Sequence, residues 1–65
     1  MSSRLSAVDR RAQLLRVART TFARAGYHAT SMNDVADAAG VTKPVLYQHF
    51  ASKRDLFHAL LDDVG

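Results

Sequence analysis

The sequence predicts an all-α fold, a small helical bundle that ends with the start of a fourth helix. Apolar residues recur at spacings of three, four and seven, which is the period of one helical face. Glycine, serine and threonine residues separate these segments at the positions where helices begin and end. The sequence contains no internal repeat and no alternation of the kind typical of strands, so only helices are expected.

The length and composition exclude several classes of protein. The chain has 65 residues and no cysteine, so we expect one domain without a disulfide framework or a thiolate metal site. No apolar run approaches the ~20 residues needed to cross a bilayer, and we therefore expect a cytoplasmic protein without membrane contact. Residues 1–7 are expected to form a flexible tail and residues 8–65 the domain.

The charge distribution favours a polyanionic partner without identifying one. The formal net charge is +3, and six arginines precede Gly26 against a single acidic residue, Asp9. A basic excess of this kind is typical of nucleic-acid-binding domains. An arginine-rich, acid-poor start also occurs in organellar transit peptides, an alternative that the helical pattern downstream disfavours.

The first predicted helix runs from Val8 to Ala25. Ser6 or Asp9 is expected to cap its start, because either side chain can accept a free backbone N–H there. Gly26 fits the position just past its end, where a left-handed backbone is common. Its apolar face consists of Leu14, Leu15, Ala18, Phe22 and Ala25.

The second predicted helix begins after Ser31, whose hydroxyl and the Asp34 carboxylate have the spacing of a capping box. Gly40 ends this helix after about two turns, since glycine tolerates the backbone conformation that stops a helix. Its apolar stripe consists of Met32, Val35, Ala36 and Ala39.

The third predicted helix follows after a short connection and begins at Thr42, interpreted as its N-cap. Pro44 lies in the first turn, where its missing N–H costs nothing. Val41 is expected to pack against Leu46 across the cap, and Leu46 and Phe50, four residues apart, point toward the core.

The fourth predicted helix is capped by Ser52 together with Asp55 three residues later. Its apolar face is unusually wide, which indicates that something further packs there. We expect Phe57, Leu61 and Val64 to contact a domain beyond this chain or a partner. The residues of the whole face are Leu56, Phe57, Leu60, Leu61 and Val64.

The second and third segments, Ser31 to Ala39 and Thr42 to Phe50, together have the spacing of a helix-turn-helix. From this spacing alone, DNA binding and a structural corner of a helical bundle are equally supported. The residues that the anchors leave outward favour DNA, because they suit phosphates and base edges. These residues are Lys43, Pro44, Val45, Tyr47, Gln48 and His49.

Five short motifs occur in order: Gly26-Tyr27-His28-Ala29-Thr30-Ser31, Val35-Ala36, Ala39-Gly40-Val41, Leu46-Tyr47-Gln48-His49-Phe50 and Ser52-Lys53. Together they resemble the signature of the tetracycline-repressor (TetR) family, over about residues 12–61. The resemblance implies a helical DNA-binding head of a one-component repressor. It also implies a larger C-terminal domain, absent from this chain, that binds a small-molecule inducer and forms a homodimer on a palindromic operator.

The resemblance also implies roles for individual residues. It places base readout at Lys43, Pro44, Val45 and Gln48, and phosphate contacts at Thr30, Ser31, Thr42, Tyr47, His49 and Lys53. Four of these phosphate roles have a structural alternative: Ser31 and Thr42 as helix caps, Lys53 as a solvated charge, and Tyr47 as a half-buried core aromatic. Tyr27 is expected to close the first helix against the core without contacting DNA, and Arg4 is a candidate for reaching a neighbouring groove.

Other functions are less well supported by the sequence. We expect no enzyme, no cofactor and no metal site, because there is no glycine-rich phosphate loop and the three histidines lack the spacing of metal ligands. The main alternative is a helical protein-interaction module that docks a partner through the apolar fourth helix. Salt distinguishes the two, because phosphate contacts weaken steeply with salt and apolar docking does not.

Overall fold

The computed structural model describes residues 6–64, with side chains described as far as Asp62. Over this range it contains four helices and no strand: α1 (Ala7–Ala25), α2 (Met32–Ala39), α3 (Lys43–His49) and α4 (Lys53–Val64). The predicted all-α fold is confirmed, and so is the order of its elements. Arg4 and most of the predicted tail lie outside the described residues, while Ser6 and Ala7 form the start of α1.

The predicted caps explain where α1 and α2 begin. The Ser6 hydroxyl accepts the Asp9 N–H at 3.1 Å, so Ser6 and not Asp9 caps α1. At α2, the Ser31 hydroxyl accepts the Asp34 N–H at 3.1 Å, and the Asp34 carboxylate accepts the Ser31 N–H at 3.0 Å. This reciprocal pair is the capping box that the sequence predicted.

The turn between α2 and α3 depends on Gly40. Its φ of 73° and ψ of 29° lie in the left-handed region, which strains residues that carry a Cβ. The Gly40 N–H donates to the Asp37 carbonyl at 3.1 Å and the Val41 N–H to the Ala36 carbonyl at 3.0 Å. The end of α2 is thereby closed and the chain redirected into α3.

The starts of α3 and α4 differ. The Ser52 hydroxyl accepts the Asp55 N–H at 3.1 Å, as predicted. Thr42 is the N-cap residue of α3, as predicted, but its side chain makes no cap hydrogen bond. One physical reason is Pro44, which occupies one of the two positions whose N–H an N-cap side chain normally receives.

The core lies where α1 packs against α2 and α4, with α3 joined to it through α2. The Gln13 side chain also donates to the Ala39 carbonyl at 3.3 Å, which ties α1 to the end of α2. Ala25, predicted on the apolar face of α1, is exposed because that face ends one turn earlier at Phe22. The buried apolar residues are Leu14, Leu15, Ala18, Phe22, Met32, Val35, Ala36, Leu46, Phe50, Leu56 and Leu60.

Candidate nucleic-acid interface

The short helix α3 is anchored at few points and leaves most of its side chains outward. Leu46 is fully buried, and Phe50, just past the end of the helix, is 4% exposed. The Phe50 N–H donates to the Leu46 carbonyl at 3.0 Å, which closes the last turn. These two residues are the anchors that the sequence predicted, and they hold the helix against the bundle.

The four residues predicted to read bases all lie on α3. Lys43 and Pro44 in the first turn are exposed, and Gln48 one turn later is exposed as well. Val45 is partly buried, which leaves part of its side chain accessible. Their polar and apolar groups can therefore approach a ligand together, as a helix entering a groove requires.

Tyr47 and His49 lie on the same helix with different exposure. Tyr47 is 44% exposed, and no aromatic contact holds its ring among the described residues, which disfavours the alternative of a core aromatic. His49 is partly buried, and its ring centroid lies 6.3 Å from that of Phe50. Both residues keep a polar atom that can donate to or accept from a ligand.

Thr30 and Ser31, two adjacent residues at the start of α2 that were both predicted to contact phosphates, differ in exposure. Ser31 is exposed, and its hydroxyl still has a proton to donate while it accepts the Asp34 N–H. Thr30 is 1% exposed, and its hydroxyl donates to the Gly26 carbonyl at 2.7 Å. A buried hydroxyl that donates its proton to a carbonyl is poorly placed to reach a phosphate, which argues against the phosphate contact that the resemblance implied for Thr30; that contact stays a prediction.

The start of α4 carries Lys53, which is partly buried rather than a solvated charge. Its Nζ donates to the Tyr27 carbonyl at 2.7 Å and lies 4.3 Å from the centroid of the Tyr27 ring. An ammonium group has three N–H donors, so this contact leaves donors for a phosphate. Thr42, before α3, is exposed and keeps its hydroxyl uncommitted to the helix cap.

Aromatic packing connects this surface to the core. The Tyr27 ring lies 5.8 Å from that of Phe22 and 5.0 Å from that of Phe57, between centroids, which confirms its expected packing role. Sequence reasoning missed the contact of Tyr27 with Lys53. It also missed Arg11, whose guanidinium lies 5.2 Å from the centroid of the Phe50 ring. For the contact between Tyr27 and Lys53, the only signal in the sequence is that an aromatic residue directly follows Gly26.

Neither a metal site nor a membrane-spanning helix is found among the described residues. No group of three or more histidine, cysteine, aspartate or glutamate residues there could hold a metal ion. None of the described helices combines the length and apolar character that spanning a membrane demands. On α4, Leu56 and Leu60 are buried, Phe57 is partly buried and Leu61 is 58% exposed, while the Val64 side chain lies outside the described residues.

Known proteins with a similar sequence are transcriptional regulators. The chain is 54% identical over 59 residues to the HTH-type transcriptional activator FasR of Mycolicibacterium smegmatis, covering 91% of this chain and 27% of FasR. It is 46% identical over 53 residues to the HTH-type transcriptional repressor KstR2 of Mycobacterium tuberculosis, covering 82% of this chain and 26% of KstR2. The chain thus spans about a quarter of the length of these relatives.

Solved structures agree with this result. A TetR-like transcriptional regulator from Rhodococcus sp. RHA1 superposes with a TM-score of 0.87 at 38% identity, covering 92% of this chain and 33% of that one. A regulator of the TetR/AcrR family from Thermobifida fusca superposes with a TM-score of 0.83 at 45% identity, covering 86% and 31%. Residues 14–60 match the family described as bacterial regulatory proteins, tetR family. The chain therefore belongs to the tetR family of bacterial regulatory proteins.

Proposed function

We propose that this chain is a sequence-specific DNA-binding head that places α3 in the major groove of double-stranded DNA. The observation that carries the proposal is the exposure of α3: two anchors hold a seven-residue helix whose other side chains are exposed or partly buried. A helix that lies on the surface of a small basic domain in this way can enter a groove about 12 Å wide. The similarity to named transcriptional regulators supports the same function.

The base-reading residues differ in what they offer. Gln48 carries an amide that can pair with the N6 and N7 edge of adenine, and Lys43 can donate to the N7 or O6 of guanine. Pro44 and Val45 offer apolar surface to a thymine methyl group. Because these groups are on one short helix, a single placement of α3 brings all four against neighbouring base pairs.

Phosphate contacts are proposed for residues around this helix. Ser31 lies at the start of α2 and Lys53 at the start of α4, so both can contact the DNA backbone while α3 lies in the groove. Thr42, Tyr47 and His49 provide further polar groups close to the base-reading residues. These contacts give no sequence preference, but they set the orientation of the head and make binding depend on salt.

We extend the proposal to the whole regulator. Two heads held by a C-terminal dimerisation domain would read a palindromic operator, and a small-molecule inducer bound in that domain would release a repressor. The relatives named above include a repressor and an activator. Repression is tested with the full-length protein and a reporter gene downstream of the operator: deleting the regulator raises expression if it represses and lowers expression if it activates.

The DNA-binding proposal is tested by selection from a duplex library with randomised palindromes, using this chain alone and joined to a dimerising helix. Enrichment of one palindrome supports sequence reading. Affinity for it should fall with salt at a log–log slope of about −0.9 for each phosphate neutralised by a lysine or arginine. No binding as a dimer at low salt would overturn the proposal and favour the protein-interaction module, whose exposed candidate contact is Leu61.

A further inference from the structure

Lys53 differs from the other proposed phosphate contacts because its ammonium group is already held by the protein. Its Nζ donates to the Tyr27 carbonyl oxygen at 2.7 Å and lies 4.3 Å from the centroid of the Tyr27 ring. A lysine on a free surface samples many rotamers, and fixing them on binding opposes affinity. In this structure, a hydrogen bond and a cation–π contact to the protein itself restrict the Lys53 side chain.

The carbonyl that receives Lys53 belongs to the turn leading into α2. The Tyr27 oxygen also accepts the Thr30 N–H at 3.3 Å, and the Thr30 hydroxyl donates to the Gly26 carbonyl at 2.7 Å. Ser31, the exposed cap of α2, is the next residue along the chain. One oxygen atom therefore links the first residue of α4 to the turn that ends at Ser31.

The ring under Lys53 is itself held in place. The Tyr27 ring packs against Phe22 of α1 and Phe57 of α4, with centroids 5.8 Å and 5.0 Å away, and these two rings also contact each other at 5.7 Å. Phe57 lies one turn after Lys53 on the same helix, so the ring contacts the helix that carries the lysine. Tyr27 thus contacts α4 through both its backbone oxygen and its side chain.

We infer that Tyr27 is a positioning residue for DNA binding, which acts through Lys53. Its ring and carbonyl oxygen hold the Lys53 ammonium group at a fixed place relative to Ser31, so that two groups at the starts of α4 and α2 meet the phosphate backbone already oriented. The donors of Nζ that the carbonyl does not take are available to a phosphate oxygen. This inference rests on the proposed function, since its ligand is the backbone of duplex DNA.

The test is a double-mutant cycle in DNA affinity, measured by fluorescence anisotropy with the 65-residue chain and a fixed duplex at low salt. Tyr27→Leu removes the ring and keeps the carbonyl, and should weaken binding about three- to tenfold, the cost of immobilising one flexible side chain on binding. On a Lys53→Met background, the same change should have no further effect. Tyr27→Phe keeps the ring and should bind as the wild type does.

A purely structural role for Tyr27 gives a different cycle: the loss from Tyr27→Leu would persist at full size on the Lys53→Met background. That result would overturn the inference. Arg54→Met is the matched control, because it removes the neighbouring cation of α4, which is exposed, whereas Lys53 is the cation over the Tyr27 ring; the loss from Tyr27→Leu should remain at full size on that background. If the wild type does not bind DNA, the proposed function fails. If the wild type binds but the loss persists on the Lys53→Met background, only this inference fails, so the two failures are distinguishable.

A second measurement needs no variant and remains decisive if Tyr27→Leu does not fold. Nuclear magnetic resonance of the Lys53 ammonium group in the free protein should show slow proton exchange and a shift caused by the Tyr27 ring. Both should remain when the duplex is added. A Lys53 signal that behaves as a free lysine until DNA is added would overturn the inference.

Discussion

Replacing Thr30 with valine separates a structural role from a DNA contact at the start of α2. Valine keeps the shape of threonine and removes its hydroxyl, which donates to the Gly26 carbonyl at 2.7 Å in a site where Thr30 is 1% exposed. One lost hydrogen bond of this kind costs about 0.5–1.5 kcal/mol. Because Gly26 is exposed and water can partly satisfy its carbonyl, we expect a loss near ~1 kcal/mol.

The assay is thermal unfolding followed by circular dichroism, combined with DNA binding at several salt concentrations. A loss near ~1 kcal/mol lowers the melting temperature of a domain this small by roughly 4–8 °C. The DNA affinity should stay unchanged, because the buried hydroxyl contacts no phosphate. Thr20→Val is the control: its hydroxyl donates to the Arg16 carbonyl at 3.3 Å on the exposed side of α1, so the change should be nearly neutral.

Two outcomes for Thr30→Val would refute this reasoning. An unchanged melting temperature would show that the hydrogen bond to Gly26 contributes nothing to folding. A loss of DNA affinity on every sequence in a fully folded variant would show that Thr30 does contact a phosphate, as the family resemblance implied.

Three further variants test the base readout, the turn and a helix cap. Gln48→Ala should cost about 1–3 kcal/mol at one operator position only; equal losses on specific and random DNA would disprove the readout role. Gly40→Val places a β-branched residue at a φ of 73° and should lower the free energy of unfolding by about 1–3 kcal/mol. An unchanged melting temperature would show that a side chain at this position causes no backbone strain. Ser52→Ala should cost about 1 kcal/mol in urea unfolding through the lost cap of α4, and an unaltered midpoint would argue against that cap.

The elements of the fold were predictable because their signals are local. Ser31 and Asp34 are three residues apart, and so are Ser52 and Asp55, so each cap can be recognised within one turn of sequence. The apolar stripes follow the helical period, which selects the buried residues of α1, α2 and α4. The anchors of α3 could be found from a spacing of only four residues because Gly40 marks where the preceding helix ends.

The details that were not predictable depend on contacts between distant segments. Lys53 donates to a carbonyl 26 residues earlier in the chain, and no periodicity encodes that pairing. Thr30 and Ser31 are adjacent small hydroxyl residues, yet only Thr30 is buried, because its side chain turns toward the last turn of α1 and the Gly26 carbonyl. Thr42 is of a residue type that often caps helices, but Pro44 lacks one of the backbone N–H groups from which its hydroxyl could accept a hydrogen bond.

The apolar residues of α4 divide into buried core residues and exposed candidate contacts. The sequence assigned one wide apolar face to this helix. In the structure, Leu56 and Leu60 fill the core against α1, whereas Leu61 is 58% exposed and points away from the bundle. We expect Leu61→Ser to leave the folding of this chain unaffected, because that side chain has little buried area to lose.

The central claim is that α3 reads base edges in the major groove. Its most direct test is the affinity for the enriched palindrome when each purine in turn is replaced by its 7-deaza analogue, which removes only the N7 acceptor in that groove. We predict a loss of about 1–3 kcal/mol when the purines facing Lys43 and Gln48 carry the analogue. The Gln48→Ala variant should show no such loss at the purine that Gln48 faces in the wild type. Unchanged affinity at every purine would contradict major-groove reading by α3.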